Sequence, residues 1–207
     1  MSQKSTKGSL PYILFGLAAM VCIVVFLIIP SMPDKDVPDI SGKYYAEMSV
    51  EDYGIIRMEL DADVAPITVN NFVNLVSEGY YDGLTFHRVY AGFMIQGGCP
   101  YGDGQGGSGK VIKGEFSAND IENNLSHTRG VISMARKATG YDTASSQFFI
   151  CHQDSQFLDG NYAAFGIVTE GMEVVDAICD SVKPYDENGS VNPGDQPVIE
   201  YIKLIEN

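Results

Sequence analysis

The sequence has little of what most reaction chemistries require. It contains no tryptophan and only three histidines, His87, His127 and His152. None forms a His-x-His or Glu-x-x-His pair, and the four cysteines (22, 99, 151 and 179) contain no Cys-x-x-Cys, so zinc-site spacing is absent. Cys151 and His152 are neighbours, which on a strand sends their side chains to opposite faces and prevents a shared metal. Cys22 lies in an apolar run, and the odd number left for the globular part is no disulfide framework. Cys151 and Cys179 read as small buried hydrophobes, and His87 as a structural hydrogen-bonding residue. No cofactor or metal is expected. Positive charge is also scarce: 13 Lys and Arg against 27 Asp and Glu leave a net charge of −14. That balance repels a phosphate backbone and excludes nucleic acid as a partner.

Two glycine- and acid-rich loops imitate binding motifs and lack their essential parts. Gly102, Gly104 and Gly107 fit a dinucleotide spacing, and 104–110 approaches a phosphate-binding loop. Both need a strand before and a helix after, so that backbone amides meet phosphate. Val111 stands where a magnesium-holding Ser or Thr belongs, and Val111-Ile112-Lys113-Gly114 does not start a helix, so a flexible surface loop is expected. Asp186, Asn188 and Ser190 alternate as in a calcium loop, but Val191 replaces the glycine at position six and Pro197 the bidentate acid. This segment is expected to be a turn. Asn124-Leu125-Ser126 and Asn188-Gly189-Ser190 match a glycosylation pattern, which matters only in a cell that glycosylates.

What is present begins with a polar head, residues 1–9. From Leu10 to Ile29 every residue is apolar or small except Tyr12 and the breaker Pro11. About 20 such residues match the roughly 30 Å hydrocarbon thickness of a bilayer. The run ends in Ile28-Ile29-Pro30-Ser31-Met32-Pro33, without a small-x-small cleavage site, so residues 10–29 read as an uncleaved transmembrane helix. Lys4 and Lys7 before it balance Lys35 and Lys43 after it, and the positive-inside rule barely decides. A short basic head before a large domain favours a cell-membrane protein with its domain outside the cytoplasm. Pro30, Pro33 and Pro38 make 30–43 a stiff linker, and 44–207 the globular domain.

Within that domain, Tyr53 to Leu60 alternates as a strand, with Ile56, Met58 and Leu60 on one face. Pro66 opens a helix with Val69, Phe72, Val73 and Val76 at helical spacing, closed by Gly79. Short strand-like runs follow at Leu84–Val89, Phe93–Gln96, Gly130–Met134, Gln147–Cys151 and Ala163–Val168. A second helix over Gly171–Asp180 carries Met172, Val175 and Ile178 on one side, and Val198–Ile202 is a closing strand. Many short strands with glycine-rich turns and two helices indicate a mainly β barrel or sandwich.

The stretch from Thr85 to Gly98 stands out. Arg88 and Gln96 sit in an apolar context with Phe93 and Met94 between them, the residue types of a shallow apolar pocket with a charged edge, and Gly97-Gly98 read as its end. Phe86-His87-Arg88 and Gly92-Phe93-Met94-Ile95-Gln96-Gly97-Gly98 resemble the signature segments of the cyclophilin family of peptidyl-prolyl cis–trans isomerases. Ile132-Ser133-Met134-Ala135, Ser146-Gln147-Phe148-Phe149-Ile150 and 157–166 (FLDGNYAAFG) follow in family order, and the likeness covers about residues 45–207.

The resemblance implies a closed eight-stranded antiparallel β-barrel capped by two α-helices, with a substrate groove on its surface. Arg88 would be the catalytic arginine, assisted by Gln96 and Phe93. Phe93, Met94, Phe149 and Leu158 would wall the proline pocket. Gln96 and the backbone at Ala135 and Arg136 would hold the substrate chain, Gln147 would be the supporting carboxamide, and Phe157 and Tyr162 would edge the site. Many eukaryotic members carry tryptophan where this chain has Phe157 and histidine where it has Tyr162. The implied partners are proline-containing polypeptides, met by a monomer.

The residue types suit such a reaction without further help. Twisting an amide crosses a barrier of roughly 18–20 kcal/mol because resonance is lost. No covalent bond changes, so no nucleophile is needed. The alternative, a non-catalytic proline-docking scaffold, would not require the arginine.

Overall fold

The computed structural model describes residues 40–206. The expected polar head, transmembrane helix and most of the linker lie outside the described residues. Among the described residues no helix is long and apolar enough to cross a membrane.

Eight strands form one antiparallel sheet: β1 (Lys43–Val50), β2 (Gly54–Asp61), β3 (Thr85–Tyr90), β4 (Met94–Cys99), β5 (Val131–Met134), β6 (Phe148–Cys151), β7 (Ala164–Glu170) and β8 (Ile199–Ile205). Their spatial order is β3-β4-β6-β5-β7-β2-β1-β8. The sheet curls into a barrel that is not closed by a ladder, contrary to the expectation of a closed one. The edge strands β3 and β8 meet only through a bridge between Thr85 and Val198, supported by the Ile199 amide donating to the Leu84 carbonyl and the Phe86 amide to Pro197.

Two helices, α1 (Pro66–Ser77) and α2 (Met172–Ser181), complete the domain. Pro66 supplies the fixed φ of a helix start. Ala65 offers no side-chain cap; instead the buried Glu115 carboxylate accepts the amides of Ile67 (3.0 Å) and Thr68 (2.7 Å). α1 drives Phe72 into an aromatic cluster with Tyr81, Phe148 and Phe165, ring centroids 5.1 to 5.7 Å away. This is the centre of the apolar core.

β1 escaped sequence reading because its second face is buried too. Ala46, Met48 and Val50 enter the core, while Glu47 and Ser49 are covered by polar neighbours. Glu47 pairs with Arg57 and Lys203, and Ser49 donates to Glu200. β4 also runs through both glycines rather than stopping at them. A Cβ at Gly97 would stand 3.0 Å from the Thr85 carbonyl oxygen, and one at Gly98 (φ +81) 2.6 Å from that of Ser146. Here glycine permits close approach of neighbouring backbone.

Candidate active site

The β3–β4 hairpin builds the polar edge of the site. Its turn is closed by the Phe93 amide donating to the Tyr90 carbonyl, and register places Arg88 opposite Gln96. Arg88 Nη1 donates to Gln96 Oε1 (3.3 Å), and Arg88 Nε to the Asn188 carbonyl (2.6 Å). Nη2 makes no hydrogen bond among the described residues. The segment expected to be a turn is one: Asp186 Oδ1 accepts the amides of Asn188 and Ser190, which presents the Asn188 carbonyl to Arg88. Burial lowers the pKa of the half-buried Arg88 guanidinium. An arginine stays charged even so, and partial removal from water strengthens what it bonds.

A relay behind Arg88 fixes the orientation of both carboxamides. Gln147 Nε2 donates to the carbonyls of Gly104 (2.9 Å) and Gly106 (2.7 Å). Its Oε1 is therefore an acceptor, taken by Gln96 Nε2 at 2.9 Å. That leaves Gln96 Oε1 turned toward the guanidinium.

The apolar wall is a cluster separate from the main core: Met94, Phe149, Cys151 and Leu158, with Phe93, Ala135 and Tyr162 packed on it. β4 and β6 supply it, pairing Met94 with Cys151 and Gln96 with Phe149. Phe93 lies beneath Arg88, whose guanidinium carbon is 5.8 Å from the ring centroid, and tilts against the exposed Phe157 at 5.4 Å. The resulting groove has a volume of about 320 Å³. Arg88, Phe93, Met94, Gln96, Ala135, Arg136, Phe149, Phe157, Leu158 and Tyr162 all line it.

Gln147 is the exception. It lines an adjoining pocket of about 390 Å³, which shares Gln96, Ala135 and Arg136 with the first. The far wall of that pocket is the glycine-rich loop, which lies at the surface as expected and carries hydrogen bonds that the sequence did not show. Gln147 holds its carbonyls, Asp103 Oδ1 accepts the Gln105 amide, and Ser145 Oγ accepts the Ser108 amide. The Ala135 amide is also already committed, donating to the Gln147 carbonyl. Arg136 lies over the Tyr162 ring at 4.8 Å and donates to the Asn161 carbonyl.

A profile for the cyclophilin type peptidyl-prolyl cis-trans isomerase family matches residues 45–203. The chain belongs to this family. Among its relatives, the peptidyl-prolyl cis-trans isomerase of Helicobacter pylori is 51% identical over 127 residues, which are 60% of this chain and 74% of that protein. Peptidyl-prolyl cis-trans isomerase B of Bacillus subtilis is 49% identical over 124 residues, 60% of this chain and 82% of that one. The fold also matches a Cryptosporidium parvum cyclophilin crystallised in the presence of the dipeptide Ala-Pro. The TM-score is 0.69 at 30% identity, covering 79% of this chain and 99% of that one.

Two features of this cyclophilin were not read from its sequence. His127 lies under the groove floor, stacked on Phe149 at 5.9 Å and held between Asp159 (2.7 Å) and Ser133 (2.9 Å). Burial lowers its pKa against the opposing pull of Asp159. His87, expected to be a hydrogen-bonding residue, is not one. It is buried, and neither ring nitrogen has a hydrogen-bond partner among the described residues. Burial, with the neighbouring Arg88 charge, pushes its pKa down to about 4.

Proposed function

We propose that this peptidyl-prolyl cis–trans isomerase works by binding the twisted amide more tightly than either planar isomer, with Arg88 as the group that discriminates. X–Pro bonds have a usefully populated cis form, and their unaided exchange takes tens to hundreds of seconds. In the twisted state the proline nitrogen becomes pyramidal and regains a lone pair. A guanidinium N–H bonds that lone pair far better than it bonds a planar amide. Each roughly 1.4 kcal/mol of that difference is tenfold in rate. Phe93, Met94, Phe149 and Leu158 grip the proline ring while the preceding carbonyl swings.

The observation that carries this reading is the way Arg88 is held. Its Nε and Nη1 are tied to Asn188 and Gln96, which leaves Nη2 as a donor beside the groove. A merely docking surface has no use for a partly buried, pre-oriented cation. The test is a coupled cis–trans assay on a proline peptide with wild type and Arg88→Ala. Acceleration by wild type and its near-complete loss in the variant support the role; equal acceleration refutes it.

We further infer that the enzyme acts as a monomer on proline-containing polypeptides. The apolar run 10–29 would tether it to the cell membrane, and 30–43 would hold the domain away on the extracytoplasmic side. Resistance of the protein to alkaline extraction, with the domain cleaved by protease added outside intact cells, supports this placement; release by alkali contradicts it.

A further inference from the structure

His152 lies outside the groove, immediately after β6, yet it holds the turn that carries Phe93. Its backbone amide donates to the Phe93 carbonyl at 2.9 Å. Its side chain is partly buried, and Nδ1 accepts the Gly92 amide at 2.8 Å. Gly92 has φ +82, a left-handed conformation at the tip of the hairpin, and Phe93 is the last residue before the β4 ladder begins. The ring of Phe93 therefore reaches the groove from a turn whose anchors beyond the hairpin include both bonds to His152.

An acceptor at Nδ1 fixes the tautomer: the proton of the neutral ring is on Nε2. Nε2 faces Asp176 Oδ1 of α2 at 3.1 Å, within ion-pair range though out of line for a hydrogen bond. Asp176 Oδ2 takes Arg129 Nη2 at 2.8 Å, while Arg129 Nη1 donates to the His152 carbonyl at 2.7 Å. The Arg129 amide is in turn bound by Asp154. Arg129 holds the Asp176 carboxyl below its usual range, and burial pushes the nearby Cys179 thiol up to about 12. The charged groups around the ring are thus Asp176 from α2, and Arg129 and Asp154 from the segments flanking β5 and β6.

We propose that His152 is a positioning residue of the isomerase: through the acceptor at Nδ1 it holds the Gly92 turn, and so Phe93, in the productive place. The proposal rests on the reading that Phe93 grips the proline ring.

The test uses the full chain with His152→Asn, His152→Gln and His152→Leu, followed by kcat/KM and by thermal melting. Asparagine places its Oδ1 where Nδ1 was and keeps an acceptor for Gly92. Glutamine places its amide nitrogen where Nε2 was, and leucine keeps neither group. His152→Asn should stay within about twofold of wild type. His152→Gln and His152→Leu should fall about fivefold, the worth of one backbone hydrogen bond. Rescue by asparagine, but not by glutamine or leucine, is a pattern that a merely structural role would not produce. Wild-type activity in His152→Leu, or a loss in folded His152→Asn as large as that in folded His152→Leu, overturns the proposal. Phe93→Ala separates the two layers. Unchanged activity there defeats the groove reading itself, whereas a strong loss beside a normal His152→Leu defeats only the role of His152.

Discussion

Replacing Gln147 by leucine removes the middle of the relay behind Arg88 while leaving a side chain of similar bulk. Three hydrogen bonds disappear: one from Gln96 Nε2 and two to the carbonyls of Gly104 and Gly106. Each is worth about 0.5–1.5 kcal/mol net. The two carbonyls border an open pocket, so water replaces their donor and little of that share is felt. The Gln96 carboxamide, by contrast, loses the acceptor that fixed its orientation and can turn its NH2 toward the guanidinium. The structure thus assigns the loss to one link, about 1–1.5 kcal/mol of transition-state stabilisation, or roughly tenfold in kcat/KM. The assay is peptide isomerisation, with thermal melting to verify folding. A folded Gln147→Leu protein within twofold of wild type would show that the relay does not orient Arg88.

Other consequences concern the buried histidine and the groove rim. His87 is charged below about pH 6.5 when unfolded, and only below about 4 when folded, so it carries no charge penalty above pH 6.5 and destabilises the fold increasingly as pH falls from 6.5 toward 4. The difference is on the order of 3 kcal/mol, and His87→Leu should remove it without lowering stability at pH 7, because neither ring nitrogen has a partner among the described residues. Denaturant titrations of both proteins at several pH values check this; parallel stability curves would refute it. Phe157 is exposed at the rim and has no N–H, whereas an indole donor at this position contributes to cyclosporin binding in the family. Inhibition by cyclosporin should therefore be weak, with turnover intact, and Phe157→Trp should tighten it; nanomolar inhibition of the wild type would contradict this.

Legibility differed by element, for physical reasons. α1 and α2 were readable because one apolar stripe faces the core and Pro66 and Gly171 punctuate their starts. β1 was not, because Glu47 and Ser49 are buried by partners as distant in sequence as Arg57, Glu200 and Lys203. Gly97 and Gly98 looked like a strand end, since no local rule shows that neighbouring backbone approaches them to 3.0 Å or less. Arg88, Phe93, Met94 and Gln96 were readable as a pocket from their residue types, whereas the other groove residues were legible only through the family segments: Leu158 and Tyr162 reach Phe149 from another loop, which periodicity cannot reveal. The glycine loop was expected at the surface, but its link to the site was not, since only the fold brings Gln147 to the carbonyls of Gly104 and Gly106. The Asp186 turn was expected, and its use was not, since only the fold brings the Asn188 carbonyl to Arg88.

The central claim is that Arg88 favours the twisted amide over the bound planar one. Exchange spectroscopy on a proline peptide saturating the enzyme measures affinity and on-enzyme cis–trans interconversion in the same sample. For Arg88→Ala the account predicts a Kd within a few-fold of wild type and an interconversion rate lower by about a hundredfold or more, the worth of roughly 3 kcal/mol expressed only at the barrier. An affinity lost in proportion to the rate, or a rate that survives the substitution, would contradict it.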